Sequence, residues 1–209
     1  MAHKKILSVL VLTAALAFPL GNNANAAQTS GSTSVSVTLP DIIILHYISG
    51  ITLNFTTEIT EGINEATTSW TVAWDGTPSE GTLELANGAS SNLSNAVTEL
   101  DGNPITVNIP NVWAIRGFSS DGTATVAIKL DDARLDSEAT GSSAYITMSN
   151  PQVDDNDGHV GATITAAPLN GIKKSTATVG NVNLTFDLQN AVESATYSGG
   201  QYTITATAV

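Results

Sequence analysis

From residue 33 onward the chain is a series of short runs in which apolar and polar residues alternate or β-branched residues crowd together. These runs are 33–39, 42–48, 51–56, 68–74, 81–86, 104–109, 122–130, 143–149, 160–166, 177–188 and 201–209. A period of two with Val, Ile and Thr enriched predicts strands, because alternate side chains of an extended backbone fall on opposite faces. Between the runs stand Asp75-Gly76, Asn87-Gly88, Asp101-Gly102, Asp121-Gly122, Asp157-Gly158 and Asn170-Gly171, pairs that accept the positive φ of tight turns. Short strands punctuated in this way predict an all-β fold, an antiparallel sandwich or barrel. Only 90–100 and 131–139 could hold a helical turn, and both are expected to be connections. No repeat of fixed period and no linker between blocks of different composition is found, so one body is expected.

The two ends of the pattern differ from its middle. Val35, Val37 and Leu39 share one face of the first alternating run, which follows a small polar leader and is interrupted by Pro40. The next run, 42–48, is apolar on both faces and reads as a central strand, belonging either to the first run or to the body. At the other end Tyr202, Ile204, Ala206 and Ala208 alternate with Thr203, Thr205, Thr207 and Val209. The sequence therefore closes inside a strand, which a sheet is expected to hold.

Ahead of all this, Lys4 and Lys5 precede an apolar run from Ile6 to Leu20 and a small-residue site at Ala24-Asn25-Ala26. That is the three-part layout of a secretory signal peptide. The apolar run is short of the ~20 residues a membrane span needs and contains Pro19. The expected organisation is a signal peptide over 1–26, an N-terminal extension over 27–40 and a body over 41–209. No transmembrane segment is expected in the mature chain.

Charge and cysteine content narrow the chemistry. Two of the seven basic residues lie in the signal segment, so five face 19 acidic ones and the mature chain carries a formal charge of −14. Such a surface repels nucleic acid and other polyanions. The chain has no cysteine, so an exported domain of this kind has neither a disulfide nor a thiolate. Its stability is expected to come from packing or from neighbouring subunits.

Candidate catalytic groups are few. His46 and His159 are the histidines outside the signal segment, and His46, within an apolar run, reads as a buried neutral imidazole. There is no nucleophile elbow, zinc-protease helix or phosphate-binding glycine loop, so no enzyme activity and no cofactor is expected. Residues 154–158, DDNDG, partly match a calcium loop. Setting Gly158 at the loop glycine puts Val153 and Ile164 at the outer ligand positions, so an acidic hairpin tip is the expected reading. Trp70, Val72 and Trp74 share a strand face and Trp113 follows. Such aromatics either fill a core or, in a secreted monomeric carbohydrate-binding sandwich, stack on sugars. A sandwich hydrolase working through carboxylates is a third reading. Asn54, Asn92 and Asn183 open glycosylation sequons, which a chain rich in Asn and Thr produces by chance.

The signal segment, the polar leader joined to a Val-x-Val-x-Leu run, the acidic β-rich body and the closing GGQYTITATAV together resemble the subunits of bacterial chaperone–usher pili. The resemblance covers the whole chain. It implies an immunoglobulin-like sandwich lacking one strand, completed by the N-terminal extension of the next subunit. Thr33, Val35, Val37 and Leu39 would then form the donated strand, and Tyr202, Ile204, Ala206 and Ala208 would line the groove. It further implies a head-to-tail homopolymer at the cell surface, supporting adhesion or biofilm formation, with a periplasmic chaperone and an outer-membrane usher as partners. The chain departs from many pilins in having no disulfide and in carrying Ala208 where an aromatic is common.

Overall fold

The computed structural model describes residues 30–58, 69–79, 90–92 and 104–209, with the side chains of 56–58, 69–72, 74–75, 78 and 90–92 excepted. The signal segment, the run at 81–86 and the turns at 87–88 and 101–102 lie outside the described residues. Two compact units are distinguished, Met1–Thr38 and Leu39–Val209.

Within Leu39–Val209 the alternating runs form strands: β1 (Ile42–Glu58), β2 (Ser69–Pro78), β3 (Ser90–Asn92), β4 (Ile105–Phe118), β5 (Thr123–Asp132), β6 (Arg134–Ser137), β7 (Tyr145–Asp154), β8 (Val160–Gly161), β9 (Thr163–Pro168), β10 (Thr178–Asp187), β11 (Tyr197–Ser198) and β12 (Gln201–Ala208). The strand ladders are antiparallel. One sheet runs β11-β6-β7-β10-β4-β1-β2-β3 with β8 beside β7, and the second runs β12-β5-β9. This is an all-β, two-sheet sandwich. No helix among the described residues is long and apolar enough to cross a membrane.

The core lies between the sheets and follows the alternation. Val107 and Ile109 of β4, Val153 of β7 and Val182 and Leu184 of β10 meet Val126 and Ile128 of β5 and Ile164 of β9 in one buried cluster. Each fully buried aliphatic of this kind contributes ~1.5–3 kcal/mol. Phe55 of β1 stands edge-on to Phe186 of β10, ring centroids 6.3 Å apart, the geometry that aromatic quadrupoles favour.

Several strands run further than their alternation suggests, because sheet-interior prolines sit at bulges. The run 104–109 stops in the sequence at Pro110-Asn111, yet β4 continues to Phe118. Asn111 takes φ 55° and its N–H is bound by Asn181 Oδ1 at 2.9 Å, while the register against β10 shifts between Gly180 and Val182. Past the bulge Val112, Trp113, Ala114 and Ile115 are all buried, so alternation is lost. The same occurs at Asn150-Pro151 of β7, where Asn150 has φ 48° and the register shifts between Asn183 and Thr185. A bulge tolerates the missing proline N–H that a regular ladder would not.

Three further expectations are corrected. Runs 42–48 and 51–56 are one strand, β1, which pairs with β4 through Tyr47 and with β2 from Ile48 onward; residues 42–48 therefore belong to the body. Asp75-Gly76 is inside β2 and not at a turn, because a side chain at Gly76 would strike Ile48 and the Gly50 carbonyl of β1. Residues 134–137 of the expected connection 131–139 form β6, held by Leu135 pairing with Ile146. The turns at Gly122, Gly158 and Gly171 do have positive φ, at 69°, 96° and 93°.

Candidate functional site

β12 places the closing alternation against β5. Tyr202, Ile204, Ala206 and Ala208 stand opposite Leu130, Ile128, Val126 and Ala124. Tyr202, Ile204 and Ala206 pack on the core, while Thr203, Thr205 and Thr207 face outward. Burial pushes the Tyr202 phenol well above its ordinary pKa, so this ring serves as an uncharged part of the inner face. β12 ends the second sheet, and among the described residues no strand pairs with its other edge.

Among the described residues a second edge without a partner strand lies nearby. Residues 42–46 of β1 pair on one side with β4, whereas β2 joins β1 only from Ile48 onward. Ile43 and Leu45 pack against the core. β1 and β12 contact each other without a shared ladder. Two backbone edges with apolar inner faces therefore flank one side of the sandwich. Unpaired N–H and C=O groups along such edges are a template for a further strand.

The described residues of the Met1–Thr38 unit, 30–38, form no strand, and neither do 39–41. The strand expected at 33–39 is thus absent from the sheets of its own chain. The reason is that strand period alone does not make a strand; a neighbouring backbone must accept its hydrogen bonds. Thr33 is exposed, as are Val35, Val37 and Leu39, at 83%, 77% and 63% of full exposure.

The aromatic candidates divide. Trp113 is wholly buried, lies over Gly180, where a side chain would collide with its ring, and donates from Nε1 to the Asn181 carbonyl at 2.8 Å. It cannot stack on a sugar in this fold. The backbones of Trp70 and Trp74 pair with Thr57 and Leu53 of β1, and their side chains lie outside the described ones.

A comparison with known protein families, curated proteins and solved structures finds no match for this chain.

The histidines have distinct surroundings. His46 is buried and accepts a hydrogen bond at Nε2 from Arg116 Nε at 2.9 Å. His159 lies at the β7–β8 tip, its Nδ1 2.8 Å from Asp155 Oδ2. The Asp155 side chain is fully buried and also accepts from the N–H groups of Asp157 and His159 at 3.0 and 3.3 Å. Among the described residues no hydroxyl bonds to His159, and no group of three His, Asp or Glu could hold a metal ion. Asn156, with φ 64°, instead ties the tip down by donating to the Val179 carbonyl at 3.0 Å.

Asp155 supports a prediction about stability. Burial alone would raise its pKa, but the bonds from His159 and from the Asp157 and His159 backbone outweigh this and hold it below 3.8. A depressed pKa stabilises the fold above the unfolded value, and that stabilisation is lost as pH falls through the folded value. Asp155→Asn is expected to cost about 1–3 kcal/mol at pH 7. Urea unfolding should show the gap between variant and wild type closing in acid, below the ordinary carboxylate range.

Reading the sequence located the alternating extension and the inner face of β12, but missed the open edge of β1. No pattern within 42–48 marks that edge, which arises only where β1 changes partner at Ile48.

Proposed function

We propose that this chain is an exported structural subunit of a surface filament of the chaperone–usher pilus kind, with no catalytic role. Copies join head to tail, the extension of one supplying a strand to the open edges of β12 and β1 of the next. The sandwich is then immunoglobulin-like and incomplete until that strand is added.

The observation that carries the proposal is an alternating apolar segment that joins no sheet among the described residues, in a body where β12 and the start of β1 each present an edge that no described strand pairs with. Val35, Val37 and Leu39 are exposed, and each would gain ~1.5–3 kcal/mol on burial, so on the order of 5–9 kcal/mol in all before entropy costs. Backbone pairing adds register, as in strand addition generally. Because donor and acceptor are different surfaces, the contact does not close on itself and propagates as a filament. Contact of this kind needs no disulfide, which suits an exported chain without cysteine. Periplasmic chaperone and outer-membrane usher are the partners such assembly uses, and they would shield the open edges before polymerisation.

Size-exclusion chromatography of the mature protein tests this. A ladder of oligomers is expected, and an excess of a synthetic peptide of residues 29–40 should collapse it by capping acceptor edges. A protein that stays strictly monomeric at high concentration refutes the proposal.

A further inference from the structure

We propose that the link Pro40-Asp41-Ile42 is what makes strand addition intermolecular: it cannot close the extension onto the edge of its own β1, and so leaves it for a second copy. This inference rests on the strand-addition reading above. Only Pro40 and Asp41 stand between Leu39 and the start of β1 at Ile42. Gly117 and Gly171 exchange backbone hydrogen bonds of 2.9 and 3.0 Å, so the N–H and C=O of Gly117 face away from β1. Ladder bonds alternate along an antiparallel pair, and Ile43, opposite Gly117, therefore exchanges none with β4, whereas Ile42, Ile44 and His46 do. Further along, the Tyr47 N–H donates to Ser79 Oγ at 3.0 Å and its carbonyl accepts from the Ser79 N–H at 2.7 Å. Ile43 and Leu45 point their N–H and C=O groups to that same side, and among the described residues no strand meets them there. Both side chains pack against the core.

The extension would fit this edge if it could turn back. Leu39 opposite Ile43 and Val37 opposite Leu45 would bring the apolar side chains to the core face, because directly opposed residues share a face. A loop of residues 40–42 gives this register. Such a three-residue loop is a type I turn whose last residue is left-handed, the place of a glycine. Pro40-Asp41 suits the turn, but Ile42 stands where the glycine is needed. A β-branched side chain resists the left-handed region, and Ile42 is held extended opposite Phe118 of β4. The neighbouring loop lengths fail as well. A loop of Pro40-Asp41 alone needs positive φ at its first residue, which the proline ring forbids, and it would draw on backbone groups that Ile42 gives to β4. A loop of 39–42 needs Leu39 in a helical turn conformation that the residue before proline disfavours, and it would turn Ser36 and Thr38 to the core in place of the apolar side chains.

The chain's own β12 is no better placed. Asp121, just past the end of β4, donates to the Val209 carbonyl at 3.3 Å, so β12 finishes at the end of the body where Phe118 pairs with Ile42. A strand antiparallel to β12, as its ladder with β5 is, would have to carry Leu39 to the opposite end, eight residues or roughly 25 Å away. The three residue steps from Leu39 to Ile42 span roughly 10–11 Å at most. A hinge too short to fold back favours exchange of the strand between copies.

The test lengthens the link in the mature chain. Inserting Gly-Gly between Asp41 and Ile42 leaves the extension and β1 as they are and supplies a flexible loop. A segment tethered in this way competes at an effective concentration in the millimolar range, so the variant is expected to run as a monomer and to capture the 29–40 peptide, offered at about 0.1 mM, about tenfold less than wild type. Inserting Pro-Pro at the same point adds length without the bend and should keep both the ladder of oligomers and peptide capture. Thr38→Cys with Ile44→Cys, opposed in the closed register at a closely spaced pair, should form a disulfide within one chain of the Gly-Gly variant and none within a chain that lacks the insertion. The protein has no cysteine of its own. If the Gly-Gly variant polymerises like wild type without that disulfide, or the Pro-Pro variant also becomes monomeric, the link is not the determinant and strand addition stands without it. If wild type itself forms no ladder and captures no peptide, strand addition fails and this inference fails with it.

Discussion

Replacing Val37 by Asp in the full mature chain is expected to abolish filaments while leaving each body folded. Val37 is 77% exposed in its own chain and outside every sheet, so the fold has nothing to lose by the change. In an acceptor, however, the new carboxylate would face Ile204 and its apolar neighbours without a partner. Burying it costs several kcal/mol or demands that it take up a proton, enough to cancel most of the gain from the three apolar side chains. The variant should run as a monomer on size exclusion, show no filaments by negative stain and melt cooperatively near wild type. Deleting residues 27–39 should act in the same way, producing a subunit that accepts a strand but cannot donate one. Val37→Ile should keep polymerising, which separates the effect of charge from that of altering the site. Normal filaments from Val37→Asp would remove the basis for strand addition.

Replacing Trp113 by Ala should cost about 3–5 kcal/mol of stability, a large share of the roughly 5–15 kcal/mol that holds a domain together. The indole fills the space over Gly180, and its N–H satisfies the Asn181 carbonyl at 2.8 Å. Asn181 in turn binds the N–H of Asn111 and the side chain of Asn156. Loss of the ring thus loosens the β4 bulge and the β7–β8 tip together. Trp113→Phe, which keeps most of the volume but not the donor, should lose about 1–3 kcal/mol. Urea unfolding measures both. A Trp113→Ala variant as stable as wild type but deficient in glycan binding would reinstate the sugar-contact role that its burial argues against.

Period and composition made the strands legible wherever one face was buried and the other wet. β5 and β12 are examples, with Ala124, Val126 and Ile128 in the core and the threonines of β12 outside. Legibility failed where the pattern depended on a second strand. Pro110 and Pro151 resemble strand ends because proline breaks a ladder, yet each sits at a bulge where β4 or β7 carries more residues than the facing stretch of β10. Gly76 resembles a turn glycine, and only the approach of Ile48 explains why no side chain fits there. β6 was hidden in a polar segment, since its charged residues Arg134 and Asp136 are exposed and bond to each other.

The candidate site divides along the same line. The extension is visible because Val35, Val37 and Leu39 lie two residues apart between a polar leader and Pro40. The edges that could receive it are not visible, because which strand neighbours which is a property of the assembled sheets. β1 gives no sequence sign of changing partners at Ile48, and that change is what leaves residues 42–45 without a partner strand on one side among the described residues.

The join between Leu39 and β1 also decides how tension would pass through a polymer. A pull on the donated strand would reach the body at Ile42 and run along the axis of β1, whose first six residues are laddered antiparallel to β4. Loaded lengthwise, those hydrogen bonds resist together and must slide past one another at once, whereas a pull across the strand would open them singly from one end. Resistance to force would then rest on the unfolding rate of this ladder, so a fibre of such subunits could be mechanically tough with no disulfide cross-link between or within its copies.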